Sequence, residues 1–314
     1  PRSKTAARAA ATTGRCSGGT KSKTVRPMTC SRGSPGVVWL MYVMRPSGPA
    51  PAHPDMPSQV EQVKTWMTQN TGRNNVDVVV IGIGGNDVGF ADVVSNCINP
   101  FISDCRTHQP LLDLMENGDP ARPEIVGFSK LRDEFVNMDR IIRDQLHPTK
   151  IILTSYPTAL RDRFGNLCDG YSDNFSIYPD NGSYKFFNND LAGSTLHLTA
   201  EEAAWVESDL IHKVNTRRRE ITAPLGWDFV DVESFTKTHG FCETNDKAWF
   251  NTPKDSWNTQ NDFNGTAHPN RKGFQVYQHF LLRKLARDLD IHVTEAPSGT
   301  QEEHGFFLQV KNAP

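Results

Sequence analysis

From residue 54 onward, apolar and polar positions follow a pattern that predicts strands and helices in alternation. Three nearly continuous apolar and β-branched runs are typical of parallel strands buried on both faces. They are residues 76–83, 150–156 and 227–232. Apolar residues recur at helical spacing in four other segments. These are residues 58–67, 128–146, 198–214 and the stretch after His268. The alternation predicts a three-layer α/β/α domain with a parallel sheet.

Two of these helices have recognisable first turns. The Thr199 hydroxyl can accept a hydrogen bond from the amide of Glu202, and the Glu202 carboxylate can accept one from the amide of Thr199, which makes a capping box. The last helix is expected to begin at Pro269, because proline suits the first helical position. Its inward-facing residues are predicted to be Phe274, Tyr277, Phe280, Leu281 and Leu285.

The ligand of a parallel α/β sheet lies beyond the carboxyl ends of the strands, where the loops converge. Three loops are therefore expected to line the crevice: residues 84–90, 155–163 and 265–270. A tail at residues 293–314 has weak periodicity and is expected to be a peripheral extension.

Charge is distributed unevenly along the 314 residues. The formal net charge is −2, but no acidic residue precedes Asp55, so the first 54 residues carry +9 and the rest carry −11. The basic leader could be an anion-binding tail, a transit-type peptide or sequence foreign to the fold. The longest apolar run, residues 37–44, is far shorter than the roughly 20 residues of a spanning helix, so no integral membrane segment is expected. We expect a monomer without a nucleic-acid partner.

Four of the six cysteines lie in the regular part of the sequence, and none forms a C-x-x-C zinc pattern. They are Cys97, Cys105, Cys168 and Cys242. The first two lie eight residues apart in a proline-containing loop and the others in polar loops, so two disulfides are expected rather than four buried thiols. Glycosylation sequons occur at Asn174, Asn181 and Asn264. Both features favour a secreted protein, and the alternative is an intracellular enzyme with incidental cysteines. The pairing of Cys16 and Cys30 stays open.

A glycine-rich turn follows the first predicted buried strand. Gly82 and Gly84 begin a G-x-G-x-x-G pattern, but Asp87 replaces the third glycine and would repel a pyrophosphate. No acidic residue follows about 20 residues later at the end of a second strand, so dinucleotide binding is not expected. Asn86 lies at the carboxyl end of the strand, where its amide can donate to an oxyanion. The alternative is an Asn-Asp turn that caps the next element.

Among the ten histidines, His268 has a distinctive place. It directly precedes the last predicted helix, so its ring is expected at the carboxyl edge of the sheet, where a general base belongs. His239 is the best rival, although its position beside Cys242 favours a loop histidine near a disulfide. No H-x-H or H-x-x-x-H spacing supports a metal site, and none is predicted.

Residues 84–87, Gly-Gly-Asn-Asp, followed by His268-Pro269-Asn270, resemble blocks III and V of the SGNH (GDSL-type) esterase and lipase family. The resemblance covers residues 54–289 and implies a flavodoxin-like domain that hydrolyses small-molecule or lipid esters through a serine, without a cofactor. It implies that Asn86 donates to the oxyanion, while His268 deprotonates the serine and then protonates the leaving alcohol. The close Cys97 and Cys105 resemble those of secreted members with several disulfides.

Two features depart from that family. Many members place an aspartate three residues before the histidine, and here that residue is Gly265. We therefore expect a Ser-His dyad in which the Gly265 carbonyl orients the ring, with Asp262 or Asp255 as alternatives. In addition, no Gly-Asp-Ser occurs, so the nucleophile is unknown.

The first 54 residues offer only fragments of the family pattern. Residues 16–20, Cys-Ser-Gly-Gly-Thr, resemble its second block, which would make Gly18 an oxyanion-hole donor, with Gly48 as a weaker alternative. That alignment places the nucleophile block upstream of Pro1. Residues 31–54 are then either misassembled sequence or a divergent terminus with residues 37–44 as a strand.

The predicted organisation is an atypical segment at residues 1–54, a hydrolase-like domain at 55–292 and an extension at 293–314. Two other functions are compatible with the sequence. One is an inactive SGNH-like protein that binds acylated lipid or glycan, and the other is a protein whose basic leader binds an anionic surface.

Overall fold

The computed structural model describes most of residues 58–288 and short strand segments on either side. The described residues are 37–38, 58–70, 75–97, 102–168, 185–186, 189–190, 198–243, 247–252, 255–256, 259, 265–288, 293–295 and 308–310. The proposed boundaries of residues 1–54 and 293–314 stay predictions.

Four of the described strands form a parallel sheet. The strands in chain order are β1 (Val37–Val38), β2 (Val78–Ile81), β3 (Lys150–Thr154), β4 (Lys185–Phe186), β5 (Asn189–Asp190), β6 (Asp228–Val230), β7 (Val293–Glu295) and β8 (Leu308–Val310). The sheet order is β1-β2-β3-β6, with every pairing parallel. The predicted parallel sheet is confirmed, and β1 lies within residues 37–44, which one of the two alternatives for this segment gave as a strand. Strands β4 and β5 form an antiparallel pair, as do β7 and β8, so the C-terminal extension contains a ladder that its weak periodicity did not predict.

The helices of the described residues are α1 (Gln59–Asn70), α2 (Phe90–Cys97), α3 (Gln109–Asn117), α4 (Gly127–Leu146), α5 (Ala200–Trp205), α6 (Lys213–Thr222) and α7 (Arg271–Asp288). The four predicted helical segments are present, and two further helices, α2 and α3, were not predicted. The predicted capping box is present: the Thr199 hydroxyl accepts from the Glu202 amide at 3.1 Å, and the Glu202 carboxylate accepts from the Thr199 amide at 3.0 Å. Because it satisfies two orphan amides, it fixes the start of α5.

Helices cover both faces of the sheet. Val79 of β2 and Leu153 of β3 belong to a large core that also holds apolar residues of α1 to α6. Their strand neighbours Val78 and Ile152 face the other way, against Leu281 and its neighbours on α7. Successive strand residues alternate between the two cores, as the pleat requires. The predicted three-layer α/β/α architecture is confirmed.

Helix α7 begins two residues later than predicted. It starts at Arg271, because Pro269 forms an antiparallel bridge with Phe250 instead of a helical turn. Asn270 caps the helix, since its side-chain oxygen accepts from the amides of Lys272 at 2.8 Å and Gly273 at 3.2 Å. The prediction of Pro269 as the first helical residue was therefore wrong, and a bridged segment separates His268 from the helix.

The ends of α7 show which edge of the sheet it starts from. The Tyr277 hydroxyl donates to the carbonyl of Ser155, just past the end of β3, at 3.2 Å. Asp288, at the other end of α7, accepts from Lys150 at the start of β3 at 2.9 Å. The helix therefore runs antiparallel to the strands, and its N-terminus lies at the carboxyl edge of the sheet.

A π-helical segment joins α5 to α6 and was not predicted. Val206–His212 forms this segment, while Leu210 and Val214 are buried as their spacing indicated. A π turn adds a residue per turn, so it changes which side chains of α6 face the sheet.

Two disulfides connect the four predicted cysteines. Cys97 pairs with Cys105 and Cys168 with Cys242, with Cα–Cα distances of 4.9 and 5.7 Å. Cys97 is the last residue of α2, so its expected place in a loop was wrong. Cys16, Cys30 and the three sequons lie outside the described residues. No helix in the described part of the chain is long and apolar enough to cross a membrane.

Candidate functional site

The predicted Asn86 lies directly beyond the carboxyl end of β2. A one-turn 3-10 helix, Asn86–Val88, begins there after Gly85. Gly84 is in the left-handed region with φ of 106°, which turns the chain out of the strand. The Asn86 side chain does not cap the turn and makes no hydrogen bond to another described residue. The Asn86 side chain therefore does not supply the capping bond of the alternative Asn-Asp turn within the described residues, and its amide remains able to donate.

Tyr156, just beyond β3, contacts this turn. Its hydroxyl oxygen accepts from the backbone amide of Gly85 at 2.8 Å, and its ring stacks with Phe90 at a centroid distance of 6.2 Å. A Cβ atom at position 85 would lie 2.9 Å from the Tyr156 ring, so glycine is required for this close approach. The predicted crevice loops 84–90 and 155–163 are therefore in direct contact.

Two buried residues of α6 hold Tyr156, and sequence reasoning missed both. The Asn215 side chain accepts from the Tyr156 amide at 2.7 Å and donates to its carbonyl at 2.9 Å. The fully buried Arg218 donates to the Thr154 carbonyl at 2.7 Å and places its guanidinium over the Tyr156 ring. Asn215 and Arg218 lie three positions apart in a largely polar helix, a pattern that is typical of a solvated helix face. Only the apolar strands nearby could have indicated that this face is buried.

The predicted general base, His268, lies in a tight turn before α7. Ala267 has φ of 59°, and the His268 amide donates to the Gly265 carbonyl at 3.1 Å, which closes the turn. Ring Nδ1 lies 3.1 Å from the Thr266 carbonyl oxygen. Since a carbonyl can only accept, Nδ1 carries the proton and Nε2 keeps its lone pair. Thr266 thus supplies the ring's hydrogen bond, and Gly265 supplies the backbone bond of the same turn.

Burial sets the protonation of His268. Desolvation lowers its pKa below the ordinary value of 6.5, and the Thr266 and Gly265 carbonyls oppose that shift. The imidazole is therefore neutral at pH 7, which is the form that a general base needs.

The His268 turn is hydrogen-bonded to a neighbouring segment, residues 249–251. The Asn251 amide donates to the His268 carbonyl at 2.9 Å, and the Ala267 amide donates to the Asn251 carbonyl at 3.0 Å. The Trp249 amide donates in turn to the His239 carbonyl at 2.8 Å. Because α7 begins at the carboxyl edge, Asn86 and His268 lie at the same edge of the sheet.

The rival residues have other contacts. His239 stacks on Trp249 at 4.4 Å, near the Cys168–Cys242 disulfide, and burial lowers its pKa. The Asp255 carboxylate accepts from the amide and hydroxyl of Thr252 at 3.0 and 2.9 Å. Among the described residues, no cluster of three His, Cys, Asp or Glu side chains could hold a metal ion.

Ser155 is the serine closest to the carboxyl end of β3 along the chain. It is almost fully buried, and its hydroxyl oxygen accepts from the amides of Val232 at 2.7 Å and Glu233 at 3.0 Å. These bonds join β3 to the loop after β6, so Ser155 has a structural role. The predicted residues Gly18, Gly48 and Asp262 lie outside the described residues.

The fold and the site define an α/β protein in which an asparagine amide and a neutral histidine lie at the carboxyl edge of the parallel sheet. The sequence matches no family model and no curated protein. Its structure is similar to that of an extracellular lipase from Streptomyces rimosus, at 18% identity and a TM-score of 0.42 over 66% of this chain and 70% of that chain. It is also similar to phospholipase A1 from Streptomyces albidoflavus, at 17% identity and a TM-score of 0.44 over 70% and 75%.

Proposed function

We propose that this protein is a carboxylic-ester hydrolase that uses His268 as general base and Asn86 as oxyanion donor. A serine hydroxyl attacks the ester carbonyl while His268 Nε2 takes its proton, and the same proton then passes to the leaving alcohol. Water, deprotonated by His268, hydrolyses the resulting acyl-enzyme and releases the acid. The nucleophilic serine remains to be assigned.

The observation that carries this proposal is the state of the His268 ring. A neutral imidazole with its Nδ1 proton held by the Thr266 carbonyl presents Nε2 as a proton acceptor. A carbonyl can orient the ring without an acidic residue, so the missing aspartate at position 265 does not prevent catalysis.

Asn86 supplies the second requirement of acyl transfer. The tetrahedral intermediate bears a negative oxygen, and a fixed amide N–H stabilises it without having to reorganise. Asn86 is held by the 3-10 turn beyond β2, while its side chain makes no hydrogen bond to another described residue. Its amide can therefore donate to a substrate oxygen at this edge.

The setting proposed for the enzyme is extracellular, with a small-molecule or lipid ester as substrate. Two disulfides join described loops and helix ends, and such bonds persist in oxidising compartments.

Hydrolysis of p-nitrophenyl butyrate tests the two roles. We expect Asn86→Ala to lower kcat by about 10²- to 10³-fold and His268→Ala to lower it at least as much. Asn137→Ala and His147→Asn are matched controls, because both residues lie on the exposed surface of α4 or at its end. Equal activities of all four variants would overturn the proposal.

A fluorophosphonate probe would identify the nucleophile. We expect it to modify one serine covalently, to lose fluoride, and to react much more slowly in His268→Ala. Peptide mapping then names the residue. A protein that neither reacts with the probe nor hydrolyses the ester, yet binds an acyl ester, would be the inactive binding protein instead.

A further inference from the structure

We propose that Tyr156 is a positioning residue that aims the Asn86 amide, and that Asn215 and Arg218 hold Tyr156 in place for this purpose. We call these three residues the tyrosine clamp. The expected effect of the clamp on activity rests on the proposed ester hydrolysis, whereas its expected effect on the position of the Asn86 side chain does not.

Gly85 is held at both ends, at its amide by the clamp and at its carbonyl by the turn that follows it. The Tyr156 hydroxyl accepts from the Gly85 amide at 2.8 Å, while the Gly85 carbonyl accepts from the amides of Val88 at 3.2 Å and Phe90 at 3.0 Å. Gly85 immediately precedes Asn86, so fixing it fixes the direction in which the Asn86 side chain leaves the backbone. The Gly85 amide is occupied by Tyr156 and is not available to an oxyanion.

Tyr156 needs support because it lies in a loop beyond its strand. Asn215, only 4% exposed, hydrogen-bonds both the amide and the carbonyl of Tyr156. Its side-chain nitrogen also donates to the Glu233 carboxylate at 2.7 Å, which links the clamp to the loop after β6. These bonds fix the Tyr156 backbone from helix α6 and from a second strand end.

Arg218 holds the ring of Tyr156, whereas Asn215 holds its backbone. Its guanidinium donates to the Thr154 carbonyl at 2.7 Å and to Asn215 Oδ1 at 3.1 Å, and lies 4.4 Å from the Tyr156 ring centroid. A Cβ atom at Gly84 would lie 3.1 Å from Arg218 Cδ, so the same side chain also limits the glycine turn. The proposed steps of ester hydrolysis do not use Arg218 or any of these contacts.

The π-helical segment explains how α6 delivers both side chains. Val206–His212 ends just before α6, and its extra residue per turn shifts the rotation of everything that follows. Asn215 and Arg218 lie three residues apart and therefore share a face, which here is turned towards the strand ends. π-helical turns inside helices are frequent at functional sites.

The test compares Tyr156→Phe with Tyr277→Phe. Both remove one hydroxyl at the carboxyl edge, but Tyr277 donates to Ser155 and makes no bond to Gly85. In ¹⁵N-labelled protein, with the Asn86 side-chain signals assigned by their loss in Asn86→Ala, we expect Tyr156→Phe to shift these signals and to speed Gly85 amide exchange. Tyr277→Phe should leave both unchanged. Unmoved Asn86 signals in Tyr156→Phe would overturn the clamp, whatever the activity.

Kinetics then test whether the clamp acts through Asn86. We expect Tyr156→Phe to lower kcat for p-nitrophenyl butyrate by about tenfold with KM unchanged, and to have no further effect in an Asn86→Ala background. A tenfold loss that persists in that background would assign Tyr156 a role independent of Asn86 and overturn the proposal. If the NMR shifts appear but the wild-type protein hydrolyses no ester, the clamp stands and the proposed function fails.

Discussion

The guanidinium carbon of Arg218 lies 4.4 Å from the centroid of the Tyr156 ring, inside the protein. Arg218 is fully buried, and its hydrogen-bond acceptors in the described chain are two neutral oxygens, on Thr154 and Asn215. Burial lowers its pKa, while the neighbouring tyrosines and Asp87 act in the opposite direction. Arginine keeps its charge in proteins, so the aromatic face and these dipoles must stabilise a buried cation.

Arg218→Lys should therefore destabilise the fold. Lysine keeps the charge but loses the planar fork that bonds two acceptors and stacks on Tyr156. We expect the free energy of unfolding to fall by about 2–4 kcal/mol in urea at pH 7. Arg219→Lys is the matched control, because Arg219 lies equally close to the Phe229 ring, at 4.4 Å, but is exposed, so its loss should be about 0.5 kcal/mol. Equal losses would contradict a special role for the buried cation.

The pH dependence of activity should report the burial of His268. Only the neutral imidazole can accept the serine proton, and burial lowers the pKa of this ring below its ordinary 6.5. We expect kcat/KM to rise with pH and to reach half its maximum below pH 6.5. A midpoint at or above pH 6.5 would contradict the desolvation of the partly buried His268 ring.

The lowered pKa of His268 should also make the free energy of unfolding depend on pH. The folded protein takes up the His268 proton less readily than the unfolded chain, so the free energy of unfolding should fall as the pH drops below 6.5 and level off below the folded pKa. Urea unfolding at several pH values measures this. His268→Gln should lose that part of the dependence, whereas exposed His147→Asn should keep it.

Periodicity predicted the sheet well because its strands are buried on both faces. The runs at residues 76–83, 150–156 and 227–232 each contain an observed strand, since apolar runs bounded by glycine, proline or polar residues have few other solutions. The π-helical segment Val206–His212 was missed, because its buried residues also fit an α-helical spacing. The bridge at Pro269 was missed since it depends on a partner, Phe250, about 20 residues away in sequence.

The residues of the candidate site also differ in how clearly the sequence indicates them. Asn86 and His268 could be proposed as site residues because each adjoins a strand or helix end with a recognisable motif. Tyr156 lay inside a predicted crevice loop but had no assigned role, since its partner amide is 71 residues away. Asn215 and Arg218 gave no signal, because a polar helix position does not reveal whether it faces solvent or buried strand ends.

The two disulfides should contribute unequally to stability. Their sequence separations are 8 residues for Cys97–Cys105 and 74 for Cys168–Cys242, and a longer closed loop restricts the unfolded chain more. Replacing both cysteines by alanine should cost about 2.5 kcal/mol for the short loop and about 4.5 kcal/mol for the long one. Each double variant is the control for the other, and urea unfolding under oxidising conditions measures both. A larger loss for the short loop would contradict the entropic account.

Helix α7 must approach Trp249 closely for the His268 turn to form, and Gly273 permits this. A Cβ atom at position 273 would lie 2.3 Å from the Trp249 carbonyl oxygen, a backbone atom that cannot rotate away. Gly273→Ala should gain about 1 kcal/mol from helix propensity, but the clash should cost about 1–3 kcal/mol and displace the turn. We expect a net loss of stability together with a loss of esterase activity.

Thermal unfolding and p-nitrophenyl butyrate hydrolysis measure the two effects of Gly273→Ala. Gly226→Ala is the control for adding a methyl group, because its Cβ would meet no atom within 4 Å, although its φ of 74° makes alanine somewhat strained there. That variant should lose some stability while keeping its activity, since Gly226 lies just before β6 at the amino edge of the sheet. A Gly273→Ala variant that is more stable and fully active would show that α7 can move away from Trp249 without disturbing His268.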